Sequence, residues 1–431
     1  MRTAQPDPWR RVVITGLGVV APNGIGKEHF WQSCLSGRSG IGPITRFDAR
    51  PLPSQIAGEI SHFVPETLGV TPDEVLHMDR ATQFALAAAN LALDDAGLQH
   101  FSTDERDRTG VYMGLAMACL EEGERQWAQA TGQGRYEPSA DMSDHLPATL
   151  LMSHASASGI AAHHQLYGPC TVIATGCSAG ADAIGQAFWL IQEGRADRML
   201  AGGTDAAISY GVLDVFCVMG ALSSGYNHEP ERASRPYDHK RDGFVMAEGA
   251  GIVLLEEREQ ALIRGAHIYA EILTFSSNSN AYHMTSLPAD GLPLQHLLQQ
   301  ALEEAQISPS ALGYINSHGS STPPNELAET TAYKAVFGEQ AYHIPISATK
   351  SIIGHTQGAA SAIETIVTAL VLDQQIIPPT INQEQRDPHC DLDYVPNLAR
   401  QAPVDVALTH SSGFGGVNSV LVLARSDRMQ A

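Results

Sequence analysis

Short apolar runs and longer alanine-rich stretches alternate along the chain. Residues 11–15, 109–113 and 199–202 are compact aliphatic runs bounded by turn residues, which predicts buried strands. Residues 81–96 and 178–193 space their apolar positions as helices do. Strand-like runs recur at 252–255, 268–272, 314–316, 345–347 and 419–423, and a short helix is expected at 257–264. Strands interleaved with helices predict an α/β fold with a largely parallel sheet. The run from Gly249 echoes the run from Gly415, each passing from closely spaced glycines into an apolar stretch, so two similar halves are expected, 1–264 and 265–431. The polar, turn-rich segments 122–144 and 223–241 are expected on the surface near an opening.

At 431 residues the chain exceeds the usual size of one hydrophobic core, in keeping with two halves. Hydrophobic residues make up 43% and charged residues 17%, which excludes a disordered chain. Apolar runs such as 251–255 and 369–372 fall far short of the roughly 20 residues that span a bilayer. No apolar segment precedes Val12, so no secretory signal is read and a cytoplasmic location is expected. A net charge of −21 without any Lys/Arg run disfavours nucleic acid as a partner. Cysteines 34, 119, 170, 177, 217 and 390 form no CxxC pair, so neither a zinc site nor a disulfide framework is expected. No metal is expected from the histidines either: His163 and His164 are adjacent and would point apart on a helix. The acidic pairs Glu121-Glu122 and Asp94-Asp95 read as solvated faces. The absence of GxxxxGK[ST] and GxGxxG motifs removes the leading nucleotide-binding alternatives.

Four clusters can carry chemistry. Cys177, in TGCSAG (175–180), follows an apolar run and opens a predicted helix, where unpaired N–H groups and the positive dipole end are expected to lower a thiol's pKa. His318, in HGSSTP (318–323), ends a strand-like run, where α/β folds hold ligand-facing groups. KSIIGH (350–355) places Lys350 and His355 between a strand and a helix. In GFGG (413–416), glycines flank Phe414, so backbone N–H groups can face a ligand and the ring has room to move. Each cluster alone has a plainer reading: a structural thiol, a loop histidine bonded to its own backbone, a common turn.

In this order the four motifs resemble those of the β-ketoacyl-acyl-carrier-protein synthases, condensing enzymes of the thiolase-like fold, and the likeness runs over nearly the whole chain. The resemblance implies a five-layered αβαβα fold of two similar halves, usually dimeric. It implies that Cys177 is the acylated nucleophile, His318 and His355 the paired histidines, and Lys350 the support of their hydrogen bonds. Phe414 and Gly415 match the gate and oxyanion loop, with the backbone N–H groups of Cys177 and Phe414 as oxyanion donors. Ser320 and Thr322 match hydroxyls that bind a phosphopantetheine arm. The implied reaction joins an acyl thioester on Cys177 to malonyl-acyl-carrier protein with loss of carbon dioxide. No cofactor is implied beyond the phosphopantetheine that substrates carry. TGCSAGADAIG, MDRATQFA and DPHCDLDYVP look more like ketosynthase subunits of type II aromatic polyketide systems than housekeeping fatty-acid synthases. Acyl carrier protein and a second subunit, either identical or a diverged chain-length factor, are the implied partners.

The sequence departs from the family pattern at Asn325-Glu326, often Gly-Asp, at Ser412, often phenylalanine, and at Val417, often threonine. The segment from Pro72 to Asp79, basic in many fatty-acid synthases, is acidic and apolar here, so carrier docking is expected elsewhere, on a patch such as Arg232, Arg235, Lys240 and Arg241. Three rivals are weighed. A non-catalytic chain-length partner would not need Cys177, both histidines and Lys350. A thiolase normally has a second cysteine where this chain has Phe414-Gly415-Gly416. A cysteine hydrolase gives no reason for Lys350 or a second histidine.

Overall fold

The computed structural model describes residues 9–117, 120–132, 134, 135, 137 and 152–426. Cys119 and the 138–144 part of the polar segment expected near an opening lie outside them. The first half contributes β1 (Val12–Ala21), β2 (Thr109–Gly114), β3 (Cys170–Ile173), β4 (Arg198–Asp205) and β5 (Gly249–Glu257), ordered β3-β2-β4-β5-β1. The second repeats that order as β8-β7-β9-β10-β6. Its strands are β6 (Ala270–Ser279), β7 (Tyr314–Asn316), β8 (Ile346–Ser347), β9 (Val406–Ser412) and β10 (Val417–Ala424). The half-sheets join where residues 12–14 of β1 pair antiparallel with β6. The two segments that echo each other in sequence are thus equivalent strands, β5 and the start of β10.

In each half, four strands point one way and the fifth, β5 or β10, runs against them from an interior position. The parallel expectation therefore holds for most strand directions but not for the ladders at the centre. Every residue of β1 and of β5 is buried. A strand buried on both faces is a continuous apolar run, which carries no mark of its direction.

Helices fill three layers. α1 (Arg80–Asp95) and α2 (Ala155–His164) cover the outer face of the first half. α3 (Ala179–Gln192) lies between the half-sheets, and α4 (Tyr210–Val218) follows β4. α5 (Leu292–Glu304) and α6 (Pro323–Phe337) cover the second half, while α7 (Ala360–Gln374) is buried beside α3. This is the αβαβα order. Asp79 caps α1 by accepting the Thr82 N–H at 3.1 Å. The alanines of α1 let it lie directly on β1: a Cβ at Gly18 would come within 1.8 Å of the Ala88 carbonyl oxygen. Asp95 is no solvated acid. It accepts from Lys27 Nζ at 2.6 Å, Tyr269 Oη at 3.0 Å and the Leu17 N–H at 2.9 Å, tying α1 to both halves. Among the described residues no helix is long and apolar enough to cross a membrane.

Candidate active site

Tight turns that follow strands set each candidate group. Cys177 sits in a single 3-10 turn, Gly176–Ser178, ahead of α3. His318 follows β7, and Lys350 opens a one-turn helix, Lys350–Ile353, after β8. His355 lies just before the 3-10 turn Gln357–Ala359 that leads into α7. Phe414 occupies the loop between β9 and β10. These loops enclose one cavity of about 690 Å³, lined among others by Cys177, His318, His355, Phe414, Ser320 and Thr322. Cys177 and His355 thus precede equivalent helices of the two halves.

Hydrogen bonds fix the protons of both imidazoles. The Gln357 N–H donates to His355 Nδ1 at 3.1 Å, so that nitrogen is an acceptor and the ring proton resides on Nε2. Lys350 Nζ lies 3.3 Å from His318 Nδ1 and donates to the His318 carbonyl oxygen at 2.7 Å. An ammonium only donates, so His318 also carries its proton on Nε2. Burial pushes both imidazoles well below their ordinary pKa, and the charge of Lys350 pushes in the same direction. The pair is neutral, with ring centroids 5.5 Å apart and one N–H donor each.

Lys350 is itself buried and paired with Glu364 of α7. Burial raises Glu364 to about 7, against the pull of Lys350. The Ser411 hydroxyl donates to the Cys177 carbonyl oxygen at 3.0 Å, and its oxygen packs 3.2 Å from His318 Nδ1.

The thiol reverses the expectation from its helix position. Burial pushes Cys177 up to about 11, while Lys350 and the Phe414 N–H, which faces the sulfur, pull it down. Buried at this position, the thiolate loses more hydration than the helix start restores. The same Phe414 N–H is one of the two expected oxyanion donors; the other, the N–H of Cys177, belongs to the turn just ahead of α3. Gly415 does not join them: its N–H donates to the Met284 carbonyl oxygen at 2.7 Å. Its contribution is conformational, with φ of 88°. The Phe414 ring stacks on Phe216 at 6.2 Å and stands 40% exposed at the cavity mouth. Ser320 and Thr322 share a hydroxyl hydrogen bond of 2.8 Å within the cavity wall.

Sequence reading missed Glu364, Ser411, Phe216 and Phe244, whose ring lies 5.2 Å from His355. Glu364 had a signal, since it is the one acid in the otherwise uncharged stretch 360–372. The proposed basic patch is corrected. Arg235 is buried against Asp238 and Glu384, and Arg241 against Glu326 and Asp387. Arg232 is held by Glu229 and Glu384. Three of the four cations are therefore committed to neighbouring acids.

A cysteine just ahead of a helix and two neutral imidazoles in one cavity, with a buried lysine bonded behind one of them, in an αβαβα fold, are the arrangement of a thiolase-like condensing enzyme. Residues 9–261 match the family described as Beta-ketoacyl synthase, N-terminal domain, and residues 269–384 match Beta-ketoacyl synthase, C-terminal domain. The chain belongs to the beta-ketoacyl synthase family. It is 43% identical over 96% of its length to the tetracenomycin polyketide synthase ketoacyl synthase alpha subunit of Streptomyces glaucescens, covering 97% of that protein. It is 42% identical, over 96% of its length and 98% of the relative, to 3-oxoacyl-[acyl-carrier-protein] synthase 2 of Synechocystis. A solved type II PKS acyl-carrier protein in complex with its ketosynthase bound to the hexaketide superposes with a TM-score of 0.89 at 39% identity, covering 97% of this chain and 100% of that one.

Proposed function

We propose that this chain catalyses decarboxylative Claisen condensation in type II polyketide biosynthesis, joining an acyl group on Cys177 to malonyl-acyl-carrier protein. The observation that carries the reading is the shared cavity in which one cysteine faces two imidazoles, each with its proton on Nε2. The Cys177 sulfur attacks the acyl thioester, the N–H groups of Cys177 and Phe414 hold the oxyanion, and the carrier thiol departs with the cysteine's proton. When malonyl thioester binds, its bond to the carboxylate breaks. The electron pair becomes an enolate held by the Nε2–H groups of His318 and His355, and carbon dioxide leaves. The enolate carbon then attacks the acyl-cysteine, and collapse breaks the C–S bond and returns the thiolate. Ser320 and Thr322 hold the phosphopantetheine arm that substrates bring; the chemistry calls for no further cofactor.

Acyl carrier protein is the partner in the solved relative, and the Streptomyces relative is named an alpha subunit, which supports a paired second subunit here. Among the described residues β3 leaves one edge of the sheet unpaired, a backbone ladder such a subunit can extend. Fatty-acid elongation is the second reading, favoured by the Synechocystis relative. Intact-mass spectrometry after acyl-carrier protein and then malonyl-carrier protein, wild type against Cys177→Ala, tests the proposal. It predicts an acyl adduct on wild type only, discharged with carbon dioxide release into a β-ketoacyl product. Absence of the adduct in the presence of a partner subunit overturns it.

A further inference from the structure

Asp205 ends β4, is fully buried and is not part of the cavity wall. Its Oδ2 accepts the Gly358 N–H at 2.6 Å and the Ala116 N–H at 2.9 Å, and its Oδ1 accepts the Met117 N–H at 3.0 Å. Gly358 immediately follows Gln357, whose own N–H sets the proton of His355. Gln357 has φ of 52°, a left-handed conformation unfavourable for a side chain with a Cβ, so this turn must be held by its surroundings. The seat is tight: a Cβ on Gly358 would lie 2.6 Å from Asp205 Oδ2, and one on Gly203 would lie 2.2 Å from the Gly358 carbonyl oxygen.

We infer that Asp205 is a positioning residue for His355: it anchors the 357–359 turn to β4, so that the Gln357 N–H meets Nδ1 and leaves Nε2–H for the enolate. The first half thereby sets the proton of a second-half histidine. This rests on the role proposed for His355. It places the loss on decarboxylation: neither Cys177 nor its helix is hydrogen-bonded to that carboxylate, and the Asp205 charge acts on the thiol only by raising its pKa, so removing it does not hinder thiolate formation.

The test uses Asp205→Asn, which keeps the shape but replaces one acceptor oxygen with an NH₂ group, assayed beside wild type in two half-reactions. Cys177 acylation, read by intact mass, is expected to be no slower than in wild type, since the lost charge had raised the thiol's pKa. Decarboxylation of malonyl-carrier protein by the acylated enzyme is expected to fall about 10–100-fold, the effect of a misplaced reacting group. Asp205→Ser, smaller and retaining one acceptor, is run in parallel and is expected to show the same split. Equal loss in both half-reactions, no loss in either, or failure of both variants to fold would make Asp205 structural only and overturn the inference. Wild type failing either half-reaction would instead overturn the function on which it rests.

Discussion

The two halves place the same device at equivalent points and arm it differently. Before α3 a 3-10 turn carries a thiol; before α7 the matching turn follows an imidazole. Both groups are held uncharged by burial, the thiol by a raised pKa and the imidazole by a lowered one. Backbone architecture thus supplies aimed N–H groups and a buried setting, and in the proposed reaction the side chain assigns the chemistry: acyl transfer to the first half, enolate stabilisation to the second. Charge enters asymmetrically, through Lys350 of the second half, which steadies His318 and favours the thiolate across the halves.

The strongest challenge to this division is a pair of opposite lesions. Cys177→Ala should abolish the acyl adduct and condensation together. His355→Ala should still form the adduct while malonyl decarboxylation falls by about 10²–10³-fold, the scale of a lost oxyanion donor. Loss of the adduct in His355→Ala, read by mass spectrometry, would show that the halves do not act separately.

Next in size is the buried Lys350–Glu364 pair. Lys350→Met leaves an acid unpaired inside α7 and should cost about 3–5 kcal/mol of stability in urea unfolding. Adding Glu364→Leu should recover most of that stability but not condensation, since His318 Nδ1 still lacks its donor.

Two pH measurements sharpen the comparison. Because both histidines have depressed pKa values, they gain protons only well below pH 6.5. Decarboxylation should therefore show no acid limb centred there. Because the thiol is raised, the rate of Cys177 alkylation by iodoacetamide should keep climbing with pH toward about 11 instead of levelling near its ordinary value. The smallest effect belongs to the hydroxyls proposed to hold the arm. Ser320→Ala or Thr322→Ala should raise KM for the carrier thioester roughly 2–10-fold at unchanged kcat, the worth of one hydrogen bond.

Much of the site was legible because its residues sit in short motifs at the ends of apolar runs: Cys177, His318, Lys350 and His355 all fall in one cavity region as expected. Strand β7 was read with its observed bounds, and helices α1 and α3 each to within one residue at either end. The docking patch failed for a physical reason. Arg235 and Arg241 look like surface cations in a polar segment, yet apart from Asp238 their acidic partners Glu326, Glu384 and Asp387 lie 85 or more positions away. The role of Gly415 failed because a glycine's N–H direction depends on the loop across from it, here at Met284.

By itself the sequence determined the α/β class, the two-half plan and the residues that gather at the candidate site, because periodicity, glycine turns and motif order are local properties of the chain. Only the tertiary structure decided the reversed strands β5 and β10, the protonation of the thiol and the imidazoles, and the partners Glu364, Ser411 and Asp205. Strand direction, desolvation and long-range hydrogen bonds depend on what lies opposite a residue in space, and no local pattern records that.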